Sequence, residues 1–221
     1  MNDRLRRLAA LGYVGPPVSL ALLVLSTVLD PLFSWQSRSL SSIGEATGTP
    51  ITATTADQLA FSLFNGGLLV AGLLGVGFAV VLWFETVTRL ERVGVGLLAV
   101  TMLSNVGVAV AYLDGPFTGV HFVAALGVFF GLTVTLWVYG TALVRRTGGE
   151  HGLPSIWMAN VHVLAWVVWM VAEALVFTGD GDTWTYFAVP EFVGAVLLGL
   201  WVVVQARRVR QSPGRGAHAG R

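Results

Sequence analysis

Five side chains in this sequence could do chemistry as a group: Asn65, Asn105, His121, Glu173 and Glu191. Each lies in or at the edge of a long apolar run, where polar residues are scarce. Two carboxylates and an imidazole gathered in a low-dielectric layer can share a proton, bind a cation or hold a polar headgroup. Each residue also has a plain structural reading. Asn65 and Asn105 suit hydrogen bonds between helices, and His121 suits a single internal bond. Glu173 suits a bond to an Asn or His. Glu191, just after Pro190, suits the first turn of a helix, where a carboxylate complements the helix dipole.

The elements that carry these residues are six apolar runs, roughly 8–29, 59–84, 93–113, 117–144, 154–177 and 185–206. A helix rises about 1.5 Å per residue, so about 20 residues cross a hydrocarbon core of about 30 Å. Inside lipid the backbone must satisfy itself, so each run predicts a transmembrane helix. The fold expected is all-α, a single polytopic bundle of six spans over residues 1–221. Hydrophobic residues make up 55% of the chain and charged residues 11%, which agrees with that class.

Arginine sets the predicted orientation. Of the 13 basic residues, all arginine, twelve fall before the first run, in the second and fourth loops, or after the sixth; Arg38 is the exception. The other loops carry Asp30, Glu45, Asp57, Asp114, Asp180 and Asp182. Under the positive-inside rule both termini are cytoplasmic and the protein is a multi-pass component of the plasma membrane. The basic C-terminal tail reads as this topology signal and not as a nucleic-acid surface. The first run exceeds the about 7–15 residues of a signal-peptide core and reads as a retained helix.

Depth follows from this topology. Asn65, Glu173 and Glu191 each fall about 8–9 Å inside the outer boundary, with His121 slightly shallower and Asn105 slightly deeper. Asp114 falls at the rim, and Ser39, Ser41 and Ser42 of the long first loop could cover the layer. In that loop Phe33, Trp35, Leu40 and Ile43 alternate with polar residues, which fits a segment lying on the membrane surface, or an irregular loop. His162, Trp166, Trp169 and Glu173 step by four, three and four along one stripe of the fifth helix, which should face protein. Small residues at Gly67, Ala71 and Gly75, and at Ala195 and Gly199, offer close packing faces. Pro16-Pro17 should kink or delay the first helix.

Several chemistries are excluded or disfavoured. With no cysteine there is no thiolate or disulfide, and with no lysine there is no side-chain Schiff base. His121 and His162 lie toward opposite leaflets, so a bis-histidine haem does not fit. No metal-ligand spacing appears, and neither a metal nor a cofactor is expected.

Four features together resemble the prokaryotic membrane-protein family called domain of unknown function 998. They are Ser39-Leu-Ser-Ser-Ile-Gly44, Phe64-Asn65-Gly66-Gly67 with the glycines that follow, Pro116 with His121 and Phe122, and Glu191 opening the sixth helix. The resemblance implies a six-helix membrane protein and no particular reaction. The leading expectation is therefore a membrane protein that binds a small polar ligand or lipid headgroup through Asn65, Asn105, His121, Glu173 and Glu191. A second is an embedded hydrolase using water activated by Glu173 or by a metal on His121. A third is a proton- or cation-coupled carrier, ranked last because Trp166 and Trp169 block the stripe from Glu173 toward His162.

Overall fold

The computed structural model describes residues 7–44, 55–113, 115–177 and 184–211. Among them it is all-α: α1 (Leu11–Leu29), a 3₁₀ turn (Leu40–Gly44), α2 (Thr55–Glu85), α3 (Arg89–Val110), α4 (Thr118–Thr147), α5 (Leu153–Leu175) and α6 (Ala188–Gln211). Each of the six helices has a mean hydropathy of 1.6 or more over a membrane-length window, so the chain is a multi-pass membrane protein. Arg7, Arg89, Arg92, Arg145, Arg146, Arg207, Arg208 and Arg210 mark one end of the bundle, here called the arginine-rich end.

Local signals set the helix ends. Thr88 caps α3 in a reciprocal box: its hydroxyl accepts from the Glu91 N–H at 3.1 Å, and the Glu91 carboxylate accepts from the Thr88 N–H. Arg145 and Arg146 sit in the last turn of α4, which stops at Gly148 in the left-handed region, φ 73°. Pro154 and Pro190 fall in the first turns of α5 and α6, where the missing amide costs nothing. Pro16-Pro17 does not interrupt α1, which runs on to Leu29.

The helices pack in chain order, each on the next, and α6 returns to α1, so the bundle closes as a ring. α4 and α6 also touch each other, with α5 laid over the outside of that seam. Accordingly α5 buries the least of its apolar window, 17% against 44% for α6. The larger core, including Phe78, Leu82, Leu98, Leu136 and Trp201, fills the arginine-rich half. A smaller one at the other end joins Leu23, Leu40, Ile43, Phe64 and Ala188.

The described part of the first loop turns inward at its end. Its 3₁₀ turn places Leu40 and Ile43, three residues apart, on one side, and drives both into the arginine-poor end of the ring at 4% and 3% exposure. Trp35 stays half-exposed.

Glycine sets the α4–α5 contact. A Cβ on Gly152 would lie 2.3 Å from the Gly140 carbonyl oxygen and 2.5 Å from the Val144 nitrogen. Gly152→Ala should therefore lower the apparent melting temperature in detergent, at a cost of about 1–3 kcal/mol. Gly66→Ala, with nothing within 4 Å of the new carbon, should leave melting unchanged or raise it.

Candidate functional site

A cavity of about 150 Å³ runs down the middle of the ring. Five of the six helices and the 3₁₀ turn line it; α5 contributes nothing. Its walls are apolar over most of their length, from Leu40 and Phe64 at the arginine-poor end to Leu11, Phe78 and Val202 at the floor. On α2 the lining runs from Phe64 to Phe78 and on α6 from Glu191 to Val202, which is about 16–21 Å along the bundle at helical rise.

Three of the residues singled out by sequence, Asn105, His121 and Glu191, line this cavity. His121 and Glu191 each sit in the first turn of their helix, α4 and α6, and both helices start at the arginine-poor end. Asn105 comes five residues before the end of α3, about 8 Å from that same end. All three are 8% exposed or less.

Their hydrogen bonds leave mainly acceptors free. The Leu40 N–H donates to Glu191 Oε2 at 2.6 Å, which ties the 3₁₀ turn over the cavity. Glu191 Oε1 has no hydrogen bond and the carboxylate no cationic partner among the described residues. His121 Nδ1 lies 2.8 Å from the Ala111 carbonyl, so the proton of the neutral ring belongs on Nδ1 and the other nitrogen is an acceptor. Asn105 Nδ2 donates to the Leu68 carbonyl at 2.8 Å, which leaves Oδ1 and the second amide proton without a partner. Farther along the slot Ser19 donates to the Gly67 carbonyl at 3.2 Å. Among the described residues no arginine lines the cavity.

Asn65 and Glu173 do not join this group. Asn65 turns its amide back on its own helix, Nδ2 donating to Phe61 at 3.1 Å, while Oδ1 is buried without a partner. Glu173, two residues from the end of α5, accepts from the Thr185 N–H at 3.1 and 3.3 Å and so fastens the start of the next segment. Asp114 lies outside the described residues.

The α5 stripe does face protein at His162, but as a closed relay. Trp166 Nε1 donates to His162 Nε2 at 3.1 Å, His162 Nδ1 donates to Thr133 at 2.9 Å, and Thr133 donates to Phe129. Trp169 is likewise occupied, donating to the Thr185 carbonyl at 2.9 Å. Among the described residues no three His, Asp or Glu come together as a metal would require, and no serine, histidine and carboxylate form a relay.

Two residues outside the sequence-derived set also matter. Glu91, 1% exposed, accepts from Val87 at 2.6 Å and pairs with Arg146, locking α3 to α4 at the arginine-rich end. The Thr88-x-x-Glu91 spacing of a capping box was its sequence signal. Arg38, the one arginine out of pattern, donates to the Ser42 carbonyl at 3.1 Å and lies 3.9 Å from Asp30, bracing the 3₁₀ turn.

The family model described as "Protein of unknown function (DUF998)" matches residues 13–208, so the chain belongs to that family. No curated protein and no solved structure matches it.

The Glu191–Leu40 bond makes a direct prediction. Glu191→Ala leaves a buried amide without an acceptor, at a cost of about 1–3 kcal/mol. Hydrogen exchange at Leu40–Ile43 should then speed up markedly, whereas Glu191→Gln, which keeps an acceptor, should stay near the parent rate.

Proposed function

We propose that this protein binds a lipid-like amphiphile in its central cavity, with the polar end of the ligand at Asn105, His121 and Glu191. The observation that carries this reading is the pairing of one apolar slot with one buried, incompletely satisfied carboxylate at its end. A purely polar ligand would leave most of that slot empty. A purely apolar one would leave the Glu191 carboxylate unanswered in a low-dielectric setting.

The arginine distribution supports placing both termini in the cytoplasm of a plasma-membrane protein. Glu191 and the 3₁₀ turn then belong to the outer leaflet. An outer-leaflet amphiphile entering without inverting would bring its head to Glu191 and its tail toward Phe78. Asn65 and Glu173 have structural roles in this reading. Glu191 takes the central position that the sequence divided between two carboxylates.

Native mass spectrometry of protein purified in mild detergent or nanodiscs tests the proposal. The parent should retain a lipid-sized adduct. Ala195→Phe and Ala71→Phe, which put a ring into the slot from opposite helices, should remove most of it while melting remains cooperative. An adduct unchanged in both variants would overturn the assignment. A C-terminal reporter fusion should report from the cytoplasm; an external signal would reverse the orientation.

A further inference from the structure

We infer that the ligand is a single-chain amphiphile with a cationic head, a primary ammonium carried on the chain itself being the best fit. This rests on the amphiphile reading and adds the chemistry of both ends.

The head follows from which valences remain open. At the polar end Glu191 Oε1, Asn105 Oδ1 and the second nitrogen of His121 are open acceptors, against one remaining Asn105 amide proton and the Ser41 hydroxyl on the donor side. An ammonium has three donors and no acceptor, which complements that set. A phosphate or carboxylate head needs the reverse, and among the described residues no arginine that would recognise it lines the cavity. The first turns of α4 and α6 do present positive dipole ends here, but Glu191 already occupies the first turn of α6, beside the 3₁₀ turn whose Leu40 N–H it holds. An anionic head would have to share that low-dielectric space with a second acidic group.

The tail follows from the shape. An extended chain advances about 1.2 Å per bond, so a slot of about 16–21 Å takes about 13–17 bonds. The apolar lining between five helices suits one file of methylenes along that length. Two tails or a fused ring system would need the ring of helices to widen. The floor at Phe78 and Val202, 1% and 5% exposed, ends the chain and selects its length.

The test uses full-length protein in nanodiscs and a panel with one shared hexadecyl chain: hexadecylammonium, hexadecanol, hexadecanoate and hexadecyl phosphate, with dihexadecylammonium as a two-chain control. Retention is read by native mass spectrometry and by the shift in melting temperature. Hexadecylammonium should be retained about tenfold or more over the alcohol and the two anions, the ratio expected of one charge-assisted bond. Glu191→Gln, which keeps the Leu40 contact, should reduce that preference to about twofold or less without lowering the unliganded melting temperature. The two-chain cation should not bind.

The outcomes separate the two claims. If no probe binds the parent, the amphiphile reading itself falls. If the anions or the alcohol bind as well as the ammonium, or if Glu191→Gln keeps the preference, the head assignment is overturned while an amphiphile site stands. If the two-chain cation binds equally, the single-file tail is overturned.

Discussion

A polar group inside a bilayer has no water to fall back on, and that constraint organises this bundle. Each buried donor or acceptor must find its partner on a neighbouring helix or on its own backbone. The pattern is visible across several helix pairs. Trp201 Nε1 reaches Ser155 at 2.8 Å from α6 to α5, Asn105 reaches Leu68 from α3 to α2, and the Trp166–His162–Thr133 relay joins α5 to α4. Glu91 is the strictest case, a carboxylate 1% exposed with two backbone donors and Arg146. Against that standard Glu191 is deficient. It is as buried as its surroundings, yet it has one backbone donor and no cation among the described residues. Asn65 Oδ1 and Gln205 Oε1 are also unpartnered, but they are neutral and do not line this cavity, so they cost less.

The cover over the cavity is assembled from parts distant in sequence. The 3₁₀ turn is stabilised by its own serines, with Ser42 donating to the Ser39 carbonyl and Ser39 and Ser41 sharing a bond of 3.0 Å, and from outside by Arg38. It is then held down from two sides. Leu40 reaches Glu191, and the preceding stretch is tied to the approach of α6 by Tyr186, whose N–H donates to Gln36 at 2.7 Å. Tyr186 is the one non-glycine residue among those described with positive φ, 57°, a conformation that costs a tyrosine of order 1 kcal/mol or more. That cost is met where the first loop and the entry to α6 must meet, five residues from Glu191. Cover and carboxylate are thus coupled through backbone as well as through one hydrogen bond.

The sequence carried the spans and their order because run length and charge density are one-dimensional properties. It also located the polar layer, since depth along a helix follows from residue number. Depth alone does not say which way a side chain points around the helix axis. Asn105, His121 and Glu191 turn inward to the cavity. Asn65, at similar depth by count, turns against its own backbone, and Glu173 sits on the one helix that lies outside the lined ring. The α5 stripe anticipated that His162 would face protein, but nothing in its spacing could say that Thr133 would answer it. Alternation in the first loop matched a surface-bound strip equally well; the i to i+3 geometry of a 3₁₀ turn, which puts Leu40 and Ile43 on one side, has no comparable signature in a stretch rich in serine.

Why the polar end should decide the ligand follows from the solvent. Moving an alkyl chain from water into an apolar slot is strongly favourable, but a membrane ligand starts in hydrocarbon, which is as apolar as leucine. The walls therefore supply shape and little net driving force; they reject tails that are too wide or too long. Selectivity has to come from groups that lipid tails cannot imitate, and in this cavity those are the acceptors at one end. A carboxylate left one cation short in low dielectric gains most from a ligand that brings that charge with it. The same incompleteness that makes Glu191 a structural liability in an empty bundle makes it the source of discrimination in a filled one.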